Sequence, residues 1–103
     1  MAAEALARSG NEAQGRIELN KVRKRVGLPD RTSAGQALLD DIATERRLEL
    51  ATEGHRFWDL IRTGKAAAVL GPQGFVAGKS EWLPIPQSEI DITEGKLVQN
   101  PNY

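Results

Sequence analysis

The chain has 103 residues, of which 40% are hydrophobic, so it makes one small domain or part of a larger one. Its 14 acidic and 14 basic side chains are interspersed and leave no net charge, which argues against the basic surface of a nucleic-acid-binding protein. No cysteine is present, which excludes disulfides, and no apolar run is long enough to span a bilayer.

The first 27 residues predict a pair of helices. Residues 2–8 are rich in alanine and favour a helix, which Gly10 interrupts. Asn11 is a preferred N-cap for a second helix, and Gly27 ends that helix. The opening MAAEALARSG lacks the charged head and apolar centre of a signal peptide, so we expect any export signal to lie outside this chain.

The second helix carries small and apolar residues on two sides. Its narrow seam comprises Gly15, Leu19, Val22 and Val26. Ala13 and Ile17 face the other side, as in a helix that is contacted from two directions in stacked helical pairs. Gly15 has two interpretations: it permits the close approach of a neighbouring helix, or it is a tolerated glycine that costs about 1 kcal/mol.

The last turn of this helix is strongly basic. It contains Lys21, Arg23, Lys24 and Arg25. Positive charge at a helix C-terminus complements the helix dipole. A block of one sign without aromatic residues is typical of a solvated face, so we predict that these side chains face water.

Residues 33–64 predict a single long amphipathic helix. Ser33, with Gln36 three residues later, is a capping-box pattern, and Gly64 is a natural stop at the other end. At about 100° per residue, one face collects Leu38, Leu39, Ile42, Ala43, Leu50, Phe57, Leu60 and Ile61. That face is the predicted core face.

A strip of charged residues lies within or beside that apolar face. It comprises Arg46, Glu49, Glu53 and Arg56. Because unpaired charges are rarely buried, we expect the strip to neutralise itself along the helix, Arg46 with Glu49 and Glu53 with Arg56. We therefore interpret it as a structural charge strip, in which Glu53→Leu would cost about 3–5 kcal/mol.

The residue pattern supplies neither a metal site nor a catalytic centre. Glu45, Glu49, Glu53 and His55 lack the spacing of a zinc motif, and His55 projects away from the two later glutamates. The two arginines of the strip would hold Glu49 and Glu53 ionised, which disfavours general acid catalysis. His55 is the only histidine and has no nucleophile beside it, so a hydrolase is unsupported, and we expect no cofactor.

Residues 65–103 predict a loop followed by a mostly irregular tail. GPQGFVAGK is a loop by its glycines and proline, and WLPIP is extended. Without regular pairing, this tail is expected to dock on the helices through Trp82 and its apolar neighbours. Trp58 lies just off the core face near Asp59 and Arg62, and it is the one aromatic ring proposed as a ligand-binding candidate.

Four ordered stretches resemble the C-terminal part of the SusD/RagB family: NKVRKRVGLP, ERRLELATEGHRFWDLIRTGK, WLPIPQSEID and QNPNY. The resemblance runs over residues 2–103. It implies an all-α fold with tetratricopeptide-like helix pairs. Residues 1–27 would form one such pair, residues 33–64 the long helix packed after it, and residues 65–103 the loop and docking tail.

The chain departs from the family pattern at a few positions. Gly15 stands where alanine is usual, Thr52 where a bulky residue is usual, and Asn102 where QNPGY carries glycine. The loop at residues 71–79 is short where many members carry an insertion. The matched motifs are those of the scaffold, so they carry no sugar-contacting residue over to this chain.

The resemblance also implies a function, that of a non-enzymatic nutrient-binding lipoprotein whose ligands are chiefly glycans. The implied location is the cell outer membrane, on its surface or periplasmic face. The implied partner is a SusC-like TonB-dependent transporter, over which the binding protein closes as a lid. The alternative is a free-standing helical protein-interaction module. Because the chain lacks the helix pairs that precede this part in the family, we expect an open apolar surface, so that the chain self-associates or is only marginally stable.

Overall fold

The computed structural model describes residues 2–103, and all regular structure in that range is helical. The elements are α1 (Ala2–Arg8), α2 (Glu12–Arg25), α3 (Gly35–Glu49), α4 (Arg56–Arg62), α5 (Ala66–Leu70), a 3₁₀ turn (Gly71–Gln73) and α6 (Gln87–Ile92). The prediction of an all-α fold is confirmed. None of the helices in this range combines the length and the apolar character needed to cross a membrane.

The described residues form two compact units, one up to His55 and one from Arg56 onward. We call them the N-terminal unit and the C-terminal unit. The prediction of a single helix over residues 33–64 is wrong, because α3 ends at Glu49 and α4 begins only at Arg56. Between them Gly54 has a φ of +74°, a left-handed conformation that a right-handed helix cannot contain.

The start of α3 also differs from the predicted capping box. The Ser33 hydroxyl donates a hydrogen bond to Asp41 Oδ2 at 2.6 Å, and Ala34 occupies the N-cap position without a side-chain cap. The Ser33 hydroxyl therefore bonds to a side chain of the second turn of α3 and does not cap the N-terminus of that helix. By contrast, α2 is capped as predicted, since the Gln14 N–H donates to Asn11 Oδ1 at 3.3 Å.

The core of the N-terminal unit lies between α2 and α3. Leu19, Leu38 and Ile42 are at most 5% exposed, and Ala3 and Ala7 of α1 pack against them. Small residues on α1 leave little side-chain bulk between helices, so α1 and α2 lie close together.

Gly15 is the residue of α2 that makes this approach possible. A Cβ atom placed on Gly15 would lie 2.9 Å from the Ala3 carbonyl oxygen and 3.1 Å from the Ala7 nitrogen. Both are backbone atoms of α1, which cannot rotate away as a flexible side chain can. Of the two interpretations of Gly15, the close approach of a neighbouring helix is the one observed.

Gly15→Ala is expected to destabilise the N-terminal unit by about 1 kcal/mol. Alanine gains about 1 kcal/mol of helix propensity, but overpacking against the α1 backbone costs roughly 1–3 kcal/mol. Urea denaturation followed by circular dichroism measures the difference. The control is Ala13→Gly at an exposed site of α2, where propensity alone predicts a loss of about 1 kcal/mol. A net gain from Gly15→Ala would show that α1 can shift at no cost.

The C-terminal unit buries Leu60 of α4 and Ala66 of α5, which are 1% and 5% exposed. As predicted, Gly64 stops the helix: its φ is +69°, and the Lys65 N–H donates to the Leu60 carbonyl oxygen at 2.9 Å. Phe57 lies edge-on to Phe75 with ring centroids 6.4 Å apart. This unit therefore has a small core and a large share of irregular chain.

Side-chain amides near the C-terminus hold that irregular chain in place. The Ile85 N–H donates to Gln99 Oε1 at 2.8 Å, and Gln99 Nε2 donates to the Ile85 carbonyl oxygen at 2.9 Å. Asn100 Nδ2 donates to the Leu83 carbonyl oxygen at 2.6 Å, and Asn102 Nδ2 to that of Gly78 at 2.8 Å. The backbone of WLPIP is thus hydrogen-bonded to side-chain amides of QNPNY.

The same contacts correct the prediction for the tail. Trp82 is 56% exposed and Leu83 is 77% exposed, so these two apolar side chains of WLPIP are not buried, whereas Ile85 is half-buried. The structure also accounts for the departure at Asn102, which has a φ of +69°. Glycine adopts this left-handed conformation freely and asparagine is among the few other residues that tolerate it.

Gln99→Leu is expected to destabilise the C-terminal unit by about 1–3 kcal/mol, because it leaves the Ile85 N–H and carbonyl without the partners they now have. Amide hydrogen exchange at Ile85 measures the effect locally. The matched control is Gln87→Leu, since Gln87 is exposed and its amide donates to Asp91 Oδ1 within α6. Equal exchange at Ile85 in both variants would contradict the proposed role of Gln99.

Candidate functional site

A buried ion pair joins α2 to α3. Arg23 Nη1 lies 2.6 Å from Glu45 Oε2, and the two side chains are 9% and 10% exposed. Arg23 Nε also donates to the Pro29 carbonyl oxygen at 2.8 Å, which attaches the chain beyond α2 to the same group. Hydrogen bonds in two directions compensate part of the cost of burying the guanidinium.

This pair corrects the prediction that the whole basic turn of α2 faces water. Lys21, Lys24 and Arg25 are exposed, but Arg23 is buried. The sequence contains the signal. Arg23 follows the core residue Leu19 by four positions, and Glu45 follows Leu38 by seven, so each lies on the apolar face of its helix.

The predicted charge strip does not form one buried face. Glu49 is exposed at the end of α3 and pairs with Arg25 of α2, and the side chain of Glu53 is 58% exposed. Arg46 and Arg56 are half-buried but belong to different helices. The helical phase that aligned the four residues is lost where α3 ends.

A groove of about 470 Å³ opens beside the core of the N-terminal unit. Its apolar lining comprises Ala2, Ala3, Leu19, Val22, Ile42 and Leu50. Its polar lining comprises Glu4, Glu18, Glu45, Arg46, Glu49 and His55. Because Ala2, Glu49 and His55 are exposed, the groove is open to solvent.

Each of the four groove glutamates has a basic partner in the same unit. Glu45 and Glu49 pair with Arg23 and Arg25 as described, Glu4 with Arg8 at 3.0 Å and Glu18 with Lys21 at 2.6 Å. The hydrogen bond from Lys21 lowers the pKa of the Glu18 carboxyl, so that carboxylate is ionised at neutral pH.

The metal ligands considered from the sequence are dispersed. Among residues 2–103, no cluster of three or more His, Cys, Asp or Glu side chains is placed to hold a metal ion. His55 Nε2 lies 3.8 Å from Glu53 Oε2, and both side chains are about half exposed.

The exposed aromatic rings lie in the C-terminal unit. Trp58 is 58% exposed, sits edge-on to Phe57 at 5.2 Å, and precedes Asp59, whose Oδ1 lies 2.9 Å from Arg62 Nε. A second group of exposed aromatic rings, Trp82 and Tyr103, was not predicted as a ligand-binding candidate. Trp82 is 56% exposed, and its carbonyl oxygen accepts the hydroxyl hydrogen bond of Tyr103, which is 46% exposed. Lys79 Nζ lies 4.6 Å from the Tyr103 ring centroid.

Comparison with known proteins then decides the family. The model of the SusD family, SusD_RagB, matches residues 1–76, well over half of the chain. The chain belongs to the SusD family. Two relatives from Formosa agariphila agree: SusD-like protein P38 is 37% identical over 98% of this chain, and SusD-like protein P2 is 30% identical over all of it.

Two solved structures share the fold of this SusD family member. A laminarin-binding SusD-like protein is 51% identical over 98% of the chain, with a TM-score of 0.81. Surface glycan-binding protein A from Bacteroides thetaiotaomicron is 45% identical over 99% of the chain, with a TM-score of 0.80.

All four of these SusD-like proteins are much longer than the chain. The chain spans 22% and 24% of the two Formosa relatives, and 20% and 22% of the two solved structures. What matches is therefore a segment of a SusD-like fold.

Proposed function

We propose that this chain is a scaffold segment of a SusD-like, glycan-binding protein of the outer membrane. The observation that carries the proposal is the match of nearly the whole chain, at 45–51% identity, to two solved proteins that are named for binding laminarin or surface glycans. The full protein would be a lipoprotein on the surface or periplasmic face of that membrane. It would deliver its ligand to a SusC-like TonB-dependent transporter.

The role is binding rather than catalysis. The relatives are named as binding proteins, and the glutamates of the groove are each neutralised by a nearby basic side chain. A scaffold role is supported by the share of the relatives that the chain spans, about one fifth. It is also supported by the scaffold character of the motifs through which the chain resembles the family.

The isolated chain is expected to bind oligosaccharides of laminarin, starch and mannan no more tightly than about millimolar, a free energy near −4 kcal/mol. Sugar binding needs an exposed ring and polar groups that converge on the same sugar, and Trp58 has only the Asp59 and Arg62 pair beside it. Isothermal titration measures the affinity, with Trp58→Ala as the paired variant. Micromolar binding that Trp58→Ala abolishes would place a working sugar site in this chain.

A chimera tests whether this segment can serve as scaffold within a whole glycan-binding protein. The 103 residues replace the matching segment of the solved laminarin-binding relative, which is about half identical. If the segment is scaffold, the chimera retains laminarin binding within a few-fold of the parent. A chimera that folds but no longer binds laminarin would contradict the proposal.

A further inference from the structure

The segment that connects α2 to α3 runs back along α2. It comprises residues 26–34, which lie outside regular structure, and residues 26–32 are exposed. Arg16 contacts Ser33, just before α3, and Arg23 contacts Glu45, near the end of α3. The contacts advance in the same direction along both helices, so α2 and α3 are parallel. The connecting segment must therefore return over most of the length of α2 before α3 can begin.

Four polar side chains of α2 bind the backbone of this segment. They lie on one face of the helix, at intervals of four, four and three residues: Glu12, Arg16, Asn20 and Arg23. Arg23 Nε donates to the Pro29 carbonyl oxygen at 2.8 Å, and Arg16 Nη1 donates to the Thr32 carbonyl oxygen at 3.2 Å. Arg16 Nη1 also donates to the Ser33 carbonyl oxygen at 2.5 Å. The segment thus runs antiparallel to α2, with its carbonyl groups bonded to that helix.

Asn20 lies at the centre of this face and binds the segment at two points. Its Oδ1 accepts the Arg31 N–H at 2.8 Å, and its Nδ2 donates to the Arg31 carbonyl oxygen at 3.0 Å. Glu12 Oε2 accepts the Gly35 N–H at 3.0 Å, where α3 begins. Because Asn20 pairs with both backbone groups of one residue, a shift of the segment by one position would break both bonds.

The bound segment has little slack. Residues 29–35 reach at most about 20 Å when fully extended. The stretch of α2 to which they are bonded, residues 12–23, is about 16 Å long. From the other side, α3 holds two of the segment's side chains, since Asp41 Oδ2 accepts the Ser33 hydroxyl at 2.6 Å and Asp41 Oδ1 lies 3.5 Å from Arg31 Nε. The segment is therefore held near its full extension by both helices.

We propose that the four side chains of α2 form a clamp that closes on residues 29–35 as one cooperative unit, with Asn20 at its centre. An exposed connection that contains Arg31 would ordinarily be an early site of cleavage by trypsin. Here the backbone groups that a protease must engage are already bonded to α2. The segment is cleaved only from the open state of the clamp, in proportion to its population. The proposal concerns the N-terminal unit alone and does not rest on the proposed function.

Amide hydrogen exchange and limited trypsin digestion of the full chain test the clamp. Asn20→Leu removes both bonds to Arg31, and Arg16→Met removes a donor to two carbonyl groups of the segment. Gln14→Leu is the matched control, since Gln14 lies on the same helix and its amide donates to Glu18 at 3.3 Å. Asn20→Asp, which loses the donor and keeps the acceptor, serves if Asn20→Leu does not fold.

In the unchanged chain we expect the Arg31 and Gly35 amides to exchange with one common free energy of opening. Its urea dependence should be weaker than that of the core amide of Ile42, because opening the clamp exposes less surface than unfolding the unit. Asn20→Leu and Arg16→Met should each raise exchange at both amides, and cleavage after Arg31, by at least about fivefold. Gln14→Leu should change these rates by less than about twofold.

Three results would overturn the proposal. Faster exchange at Arg31 in Asn20→Leu with no change at Gly35 would show independent bonds and not a cooperative clamp. Cleavage after Arg31 in the unchanged chain as fast as after Lys96, which is exposed outside the helices of the C-terminal unit, would show an open segment. A urea dependence at Arg31 equal to that at Ile42 would assign its exchange to unfolding of the whole unit.

Discussion

Arg23→Met is expected to destabilise the N-terminal unit by about 3–5 kcal/mol. The Glu45 carboxylate, only 10% exposed, would lose the guanidinium 2.6 Å away and remain as a buried, uncompensated charge. The Pro29 carbonyl would lose its partner as well. Typical domains are stable by about 5–15 kcal/mol, so the loss would be a large part of the total. Urea denaturation followed by helical circular dichroism measures it.

Two control variants separate the effect of breaking a buried ion pair from the effect of removing a charge at the surface. Arg25→Met removes the exposed partner of Glu49, and Glu53→Leu removes the exposed carboxylate once placed in the predicted strip; each should cost under about 1 kcal/mol. Replacing both buried partners, Arg23→Met with Glu45→Leu, should recover most of the loss because no charge is left unpaired. A cost below about 1 kcal/mol for Arg23→Met alone would show that water reaches the pair.

Leu38→Ala is expected to cost about 2–5 kcal/mol. Leu38 is 0% exposed and belongs to the core cluster with Leu19 and Ile42, so the shortened side chain leaves a cavity against rigid helices. Denaturation midpoints and slopes measure the change. Leu48→Ala is the matched control on the same helix, since Leu48 is 65% exposed, and it should stay within about 0.5 kcal/mol. Equal losses at the two sites would mean that α3 is rotated from the orientation described.

Local signals were the most informative part of the sequence. Asn11 caps α2 and Gly64 stops α4 as predicted, because capping depends on residues within one turn of the helix end. The apolar periodicity located Leu38, Ile42 and Leu60 in buried positions. It missed the end of α3, because apolar residues on both sides of Gly54 happen to fit one helical phase.

Contacts between distant residues could not be predicted in the same way. The sequence shows that Arg23 and Glu45 each lie on an apolar face, but not that the two faces meet, since 22 residues separate them. The arrangement around the charge strip has a related cause: α3 ends at Glu49, so the four residues do not share one helix, and Glu49 contacts Arg25 of α2, which lies 24 residues away in the sequence.

The candidate site depends even more on tertiary structure. The groove combines residues of α1, α2 and α3 with residues that follow α3, a combination that no single periodicity reveals. Trp82 is exposed although its neighbours in the sequence are apolar, because apolar neighbours in sequence do not by themselves bury a side chain. Its backbone neighbours are instead fixed by amides from the last residues of the chain.

The Gln99 amide has a consequence for solubility. A segment without regular structure, such as the one around Ile85, can present an unpaired N–H and carbonyl, and such groups can recruit a strand from another molecule and begin aggregation. The carboxamide of Gln99 offers a donor and an acceptor as a peptide group does, and both are joined to Ile85. One side chain thus occupies the hydrogen-bonding groups of Ile85 that a neighbouring strand would otherwise use.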